Sequence, residues 1–319
     1  TGCGHISKYT QRSDMSVIEI ILKDFPLGRE EALHLIQTAP ARYKVHEIEK
    51  RNDRGKRTIA QPTAEIKMLQ RLMLKSYIEN LPLSAAATAY RPGFGIKSHA
   101  QAHAKNNYLL KLDFKDFFPS ISSRDLIKHL RKYSNVSVDD GKLLARLFFW
   151  RPKKERKLIL SIGAPSSPSI SNTLMYDFDS ELIDFCKSND IVYTRYADDI
   201  ALSTNKPDTL KNAHDFIKKL CKRIDYPNLE LNEEKTVYTS KKHHRELTGL
   251  VLSNDGKASI GREKKRLIRS MAHHYKVGSL PIEDYHKLRG LIAFTLSIDK
   301  KFVDTIKQML GDEIYYSLI

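Results

Sequence analysis

Cysteine is scarce in this 319-residue chain: Cys3, Cys186 and Cys221 are the only ones, and no two form a CxxC pair. An odd, scattered set offers neither a disulfide framework nor a zinc-ribbon spacing, and it suits a reducing compartment. Long apolar runs are missing as well. No stretch approaches the roughly 18 consecutive apolar residues of a membrane span, and no charged-then-apolar leader opens the chain. Nor is there an internal repeat, a low-complexity tract or a long Gly/Ser linker, so any domains are closely joined. With 41% hydrophobic residues, 14 Gly and 12 Pro, wholesale disorder and fibrous repeats are excluded. Negative charge is in short supply too. Against 54 Lys+Arg stand 38 Asp+Glu, a formal net charge of +16, and that excess calls for a polyanionic partner. The expectation is a soluble, cytoplasmic protein that faces nucleic acid.

The pattern along the chain changes twice. The first hundred residues read mostly helical, with Ile66, Leu69, Met73 and Tyr77 marking one face of a helix whose N-cap is Thr63. Before it, Tyr43 to Ile48 and Arg57 to Ala60 read as strands around an Asn52-Asp53-Arg54-Gly55 turn. The middle is mixed. Tyr108 to Leu112 is a short apolar run ending in Asp113, and Ile191–Tyr196 and Ile200–Thr204 flank Ala197-Asp198-Asp199 as a tight hairpin. Leu210, Ala213, Ile217, Leu220 and Ile224 make an amphipathic helix. Leu247–Leu252 and Lys257–Ile260 bracket Asn254-Asp255-Gly256, a strong hairpin signal. From Arg262 the chain reads helical to its end, opening on the basic run Arg262, Lys264, Lys265, Arg266 and Arg269. The fold class is α+β in three parts.

The carboxylates carry the chemistry. Adjacent strand residues point to opposite faces, so neighbouring acids share a site only where a turn breaks the alternation. Asp198 and Asp199 sit in such a turn, and Asp113 ends a strand long enough in sequence before them to return alongside. Asp-Asp in a hairpin can be turn chemistry alone. Joined by a third strand-end acid in a basic protein, these three instead imply a hard cation, and Mg²⁺ accepts oxygen ligands while keeping positions open for water and phosphate. Two such ions about 3.5–4 Å apart clamp the attacking and leaving oxygens of a phosphoryl displacement.

These residues resemble a known family. Tyr196-Ala197-Asp198-Asp199 is similar to the catalytic motif of reverse transcriptases, and Leu112-Asp113-Phe114 with Phe117-Phe118 to their first palm motif. Gly163 to Asn172 resembles the palm segment under template and incoming nucleotide, and Leu231 to Thr236 the lysine motif that follows. The four stand in family order. Within the family, Arg57-Thr58-Ile59 with Gln61-Pro62, and Leu247-Thr248-Gly249-Leu250-Val251, resemble elements of bacterial retron enzymes. His99-Ala100-Gln101-Ala102-His103 resembles a third, with His99 in place of Asn. Ile162 departs from the family where Gln is usual.

The resemblance implies a right-hand architecture: helical fingers near 1–105, a mixed antiparallel β-sheet palm near 106–255 and a basic helical thumb near 256–319. It implies an RNA-directed DNA polymerase in which Asp113, Asp198 and Asp199 hold two Mg²⁺ ions. Lys235 would protonate departing pyrophosphate, with an ion pair to Glu233 or Glu234 as its bland alternative. Phe118 would be the steric gate against a 2′-hydroxyl, and Arg57 and Arg91 the cations for a dNTP triphosphate. It implies too a dedicated structured non-coding RNA as template and primer, a branched RNA–DNA product and a role against phage with a separate effector protein. Another defence-associated or diversity-generating reverse transcriptase, or an RNA–DNA-binding scaffold restraining a toxin, are the rival readings. Arg262, Lys264, Lys265, Arg266 and Arg269 are expected to grip nucleic acid, and His103 to contact RNA or hydrogen-bond internally. His99 and His103 have zinc-helix spacing, but Ala100 stands where a zinc protease has its Glu. Trp150 is expected in the core at the end of the 143–149 helix.

Overall fold

The computed structural model describes residues 15–49, 55–153 and 156–319. Cys3 and residues 52–54 of the expected turn lie outside them. Helices α1 (Val17–Asp24) and α2 (Arg29–Thr38) lead to an antiparallel ribbon, β1 (Tyr43–Glu49) and β2 (Lys56–Pro62). Next come α3 (Ala64–Met73), prolonged by a wide π turn over Leu74–Ile78, and α4 (Ile96–His103). Ile66, Leu69, Met73 and Tyr77 are buried as their spacing requires. Thr63 holds the N-cap position through its carbonyl, which accepts from the Lys67 N–H at 2.9 Å.

β3 (Tyr108–Asp113) opens the central sheet. A helical excursion follows through α5 (Phe117–Ser120), α6 (Ser123–Tyr133), α7 (Val138–Phe148), α8 (Ser167–Leu174) and α9 (Tyr176–Ser188). The chain then returns as β4 (Val192–Tyr196) and β5 (Asp199–Thr204), crosses α10 (Thr209–Arg223) and adds β6 (Val237–Ser240). The strands lie in the order β4-β5-β3-β6, all antiparallel. Their period-2 alternation feeds two cores. Leu110, Leu112, Ile200 and Leu202 join the larger one with Phe178 and Leu182 of α9 and Ile217 and Leu220 of α10. Leu109 and Ala201 point the other way and join Ala100 of α4 and Ala104 just after it. The 247–252 run, expected as one strand, is two. β7 (Glu246–Leu247) and β8 (Leu250–Leu252) are joined by Thr248 and Gly249, with φ of 47° and 80°. Two consecutive positive φ values make the tight hairpin turn that Asn-Gly usually signals, and Thr-Gly concealed it. β9 (Ala258–Ser259) pairs with β8 across the expected Asn254–Gly256 turn. α11 (Arg262–Lys276), α12 (Ile282–Ile298), α13 (Lys300–Leu310) and α14 (Asp312–Leu318) complete the chain. Their apolar faces share the second core with α4 and the β7–β9 sheet.

Trp150 lies beyond the end of α7, half-buried in a bridge to Ile159 and tilted against Tyr43 at 6.1 Å. His99 and His103 are fully buried between α4 and the sheet. Thr194 Oγ1 lies 2.6 Å from His99 Nδ1 and 2.8 Å from His103 Nε2, and Ser203 Oγ lies 2.7 Å from His103 Nδ1. His103 therefore braces the sheet from within; the expected RNA contact is ruled out by its burial. Burial holds both rings neutral, with pKa values lowered to about 3.

The unfolded chain takes up protons at these histidines below about pH 6.5, whereas the folded chain does so only near 3. Their stabilising contribution is complete above 6.5 and falls with acidification, by roughly 1.4 kcal/mol per pH unit for each ring. Urea midpoints measured from pH 7.5 to 5 should therefore fall more steeply in the wild type than in a His99→Gln/His103→Gln variant.

Candidate active site

Asp113 is the last residue of β3 and stands directly opposite Asp199, the first of β5. Between β4 and β5 only Ala197 and Asp198 make the turn, with Ala197 in the left-handed region at φ 56°. That geometry breaks the strand alternation, as the sequence demanded, and brings Asp198 to the same edge. The Phe114 N–H donates to the Asp198 carbonyl at 3.3 Å. A third segment flanks β3 here: the Asn232 N–H donates to the Asp113 carbonyl and the Lys115 N–H to that of Glu230, both at 2.8 Å. The 3-10 turn Glu233–Lys235 then delivers Lys235, whose Nζ donates to both Asp113 oxygens at 2.8 and 2.9 Å. The ion pair expected of Lys235 is thus formed with Asp113, while Glu233 pairs with Lys218 at 3.1 Å.

The electrostatics are those of acids crowded without enough compensation. Burial raises the Asp199 carboxyl to about 7, and the charges of Asp198 and Asp113 push the same way. Asp198 is raised by burial and by Asp113, while Lys235 and Arg57 pull it down. A cation relieves this repulsion, so the donor set fits a hard divalent ion. Among the described residues no three acidic, His or Cys side chains are gathered closely enough to cage an ion alone. An ion here fits one that arrives with phosphate and water as its remaining ligands.

A pocket of about 400 Å³ is lined by Phe118, Tyr90, Lys67, Arg71 and the Ser161–Pro165 segment, with Tyr90 in electrostatic range of Asp198. Phe118 follows the buried Phe117, which stacks on Phe114 at 5.7 Å and fixes the short α5 turn. Gly163 closes one wall, with φ of 118° and the β2 backbone and side chains 3.0 to 3.2 Å from where a Cβ would stand. The Ala60 N–H donates to the Ile162 carbonyl at 2.9 Å, stitching the ribbon to this wall. Ile162 thus contributes its backbone to the seam and lines the pocket as well. Arg57, exposed on the ribbon, is in electrostatic range of Asp198. Arg91, expected as a second triphosphate cation, is engaged inside its own loop. Its guanidinium lies 4.4 Å over the Phe94 ring and donates to the Ser84 carbonyl. Lys67 and Arg71 supply the positive wall instead. Their i,i+4 spacing on α3, opposite the Ile66–Leu69–Met73 stripe, was the signal that could have found them.

Within the basic run of α11, Arg262, Arg266 and Arg269 recur at four and three residues and are exposed. Arg262, Lys264 and Lys265 line a groove of about 1300 Å³ that also takes in Lys97, His243, His244 and Lys301, and the Arg269 guanidinium lies 5.0 Å over the Phe302 ring. Lys264 Nζ donates to the Gly249 carbonyl at 3.1 Å. Lys265 is no free cation: it pairs with Asp299 at 2.6 Å and lies over the Phe302 ring.

Acids at the joined ends of two antiparallel strands, floored by helices and faced by a ribbon and a helical lobe, define a right-hand nucleic-acid polymerase. Residues 48–252 match the reverse transcriptase (RNA-dependent DNA polymerase) family. The Escherichia coli retron Ec83 reverse transcriptase is 41% identical over 288 residues, covering 89% of this chain and 92% of that protein. The Escherichia coli retron Ec86 enzyme is 32% identical over 270 residues, covering 84% and 80%. The chain belongs to the bacterial retron reverse transcriptases and is an RNA-directed DNA polymerase. In fold it is similar to the apo telomerase of Candida tropicalis, with a TM-score of 0.50 at 13% identity over 85% of this chain and 58% of that one. No helix among the described residues is long and apolar enough to cross a membrane.

Proposed function

We propose that the chain copies a dedicated structured non-coding RNA into a branched RNA–DNA product, using dNTPs and two Mg²⁺ ions held by Asp113, Asp198 and Asp199. The observation that carries this reading is the placement of those acids at one end of the sheet, close enough that, beyond burial, the Asp113 charge raises both Asp198 and Asp199. Bound there, the ions would supply charge stabilisation for the attacking and leaving oxygens of the displacement. Phe118 presents its ring to the sugar. Arg57, with Lys67 and Arg71 on the pocket wall, neutralises the triphosphate and the adjacent template phosphates. Lys235, already at Asp113, stands where a proton can be given to the leaving pyrophosphate. Fingers near 1–105, palm near 106–255 and thumb near 256–319 divide the work. The retron relatives support an RNA template; the branched product, and a cytoplasmic role in phage defence beside a separate effector protein, complete the proposal.

Arg262, Lys264, Arg266 and Arg269 would meet phosphates of the RNA and of the hybrid, which position a duplex while reading little sequence. Specificity then comes from the shape of a folded stem-loop and from its loop bases. Affinity for the transcript encoded beside the gene, compared with a length-matched random hairpin over a range of salt concentrations, tests the reading. The neighbouring transcript should bind at least about tenfold more tightly, with a steep salt slope that Arg262→Gln/Lys264→Gln/Arg266→Gln flattens. Equal affinity for both RNAs would remove the dedicated-RNA proposal.

A further inference from the structure

One strongly polar cluster in the larger core is used by none of the chemistry above. Arg195, on β4, and Asp179, on α9, are both fully buried and form an ion pair. Arg195 Nε donates to Asp179 Oδ1 at 2.9 Å and Nη2 to Oδ2 at 2.7 Å, a two-pronged pairing. The Tyr193 hydroxyl donates to the same carboxylate at 2.6 Å. The remaining prong leaves the pair. Nη1 donates at 3.1 Å both to Asn172 Oδ1 on α8 and to the carbonyl of Ala197. Ala197 is the left-handed residue of the catalytic turn and immediately precedes Asp198. The Arg195 backbone is held as well, its N–H donating to the Ala86 carbonyl and its carbonyl accepting from the Thr88 N–H, each at 2.8 Å. Asn172 in turn donates to the Ala89 carbonyl at 2.8 Å. Tyr90, next along, lines the nucleotide pocket.

A buried charge pair is poor evidence of a contribution to stability, because desolvation consumes most of its attraction. Its geometry here does something an apolar pair could not. The guanidinium is a rigid fork, and with two prongs locked on Asp179 the third has a fixed direction. That direction ends on the carbonyl of Ala197, the peptide that leads into Asp198, whose own carbonyl is held by the Phe114 N–H. We propose that Arg195 is a positioning residue: anchored by Asp179, it holds the Ala197 peptide in its left-handed form and so aims Asp198 at the metal ion. A lysine would keep the charge but could not serve Asp179, Asn172 and Ala197 together. This inference rests on the reading of Asp198 as a metal ligand, and its test separates the two.

Binding of Mn²⁺ to the purified full chain, followed by electron paramagnetic resonance without substrate, reads the turn independently of turnover. Arg195→Lys should weaken Mn²⁺ binding about tenfold and lower kcat by a similar factor or more, with KM for the dNTP little changed. Arg195→Met/Asp179→Leu, which removes both charges and fills the space with apolar atoms, should show the same loss while remaining folded by circular dichroism. It therefore carries the test if the lysine variant unfolds. Tyr193→Phe removes a hydrogen bond from Asp179 and none from the turn, so it should lower the melting temperature yet keep wild-type Mn²⁺ affinity. Wild-type Mn²⁺ affinity in both Arg195 variants would overturn the proposal, as would an equal loss in Tyr193→Phe. Asp198→Asn serves as the reference: if it binds Mn²⁺ like the wild type, the site reading itself fails, whatever Arg195 does.

Discussion

Asp198→Asn should abolish DNA synthesis on a primed RNA template, with kcat falling roughly a thousandfold or more. The substitution keeps the shape of the turn and removes one charge proposed to hold the metal, and an ion at a developing oxyanion lowers the barrier by several kcal/mol. The fold should be indifferent or should gain. Asp198 is pushed above the usual carboxylate range by its burial and by Asp113, so the folded protein works against its ionisation. For a carboxyl raised in this way, stability is greatest at low pH and is lost as pH rises through the folded value. Neutralising it permanently therefore raises the melting temperature of the metal-free protein at pH 8. Single-turnover extension by the purified variant, paired with a melting curve, checks both halves. Near wild-type extension would move the catalytic site elsewhere.

Phe118→Val should admit ribonucleotides, shifting the ratio of rNTP to dNTP efficiency by ~100-fold, the scale of discrimination that pocket shape can supply. The ring is only half-buried and faces the pocket, whereas its neighbour Phe117 carries the packing of α5. Folding should therefore survive the change, as a melting curve would show. The measurement is kcat/KM for matched rNTP and dNTP on one template. An unchanged ratio would place the gate on another wall of the pocket, where Tyr90 is the remaining large ring.

The palm was legible because its signals are local. Strand runs that end in acids, a turn that interrupts alternation and an Asn-Asp-Gly hairpin each announce themselves within a few residues. Asp113, Asp198 and Asp199 were found this way, and the fold sets them at one end of the sheet. What escaped depends on direction across distance. For His103 the sequence left RNA contact and hydrogen bonding both open, and only packing of α4 on Thr194 and Ser203 decides for the second. Lys265 sits in a run of five cations, yet Asp299, from the far end of α12, claims it. Arg195 resembles a solvent-facing strand residue until Asp179 is seen beneath it. Lys235 was read as a proton donor; that it rests on Asp113 follows from the 230–232 segment zipping alongside β3, which no periodicity encodes.

The second core bears on how parts of this enzyme can be exchanged. Ala100 of α4 and Ala104 just after it share one core with Leu250 and Leu252 of β8 and with Ile268 and Met271 of α11. Arg245, itself buried, ties the carbonyls of Ala104 and Asn106 to those of Leu252 and Ser253. The C-terminal lobe is thus not a module that can be lifted away at residue 256. A chimera that borrows a relative's C-terminal helices would need to cut before β7 and to carry α4 with them, a segment about 150 residues earlier in sequence. Grafts that respect only the linear order would join two half-cores never selected to fit. In the evolution of such enzymes, any change in this lobe is accordingly constrained by a helix that belongs, by sequence, to the first third of the chain.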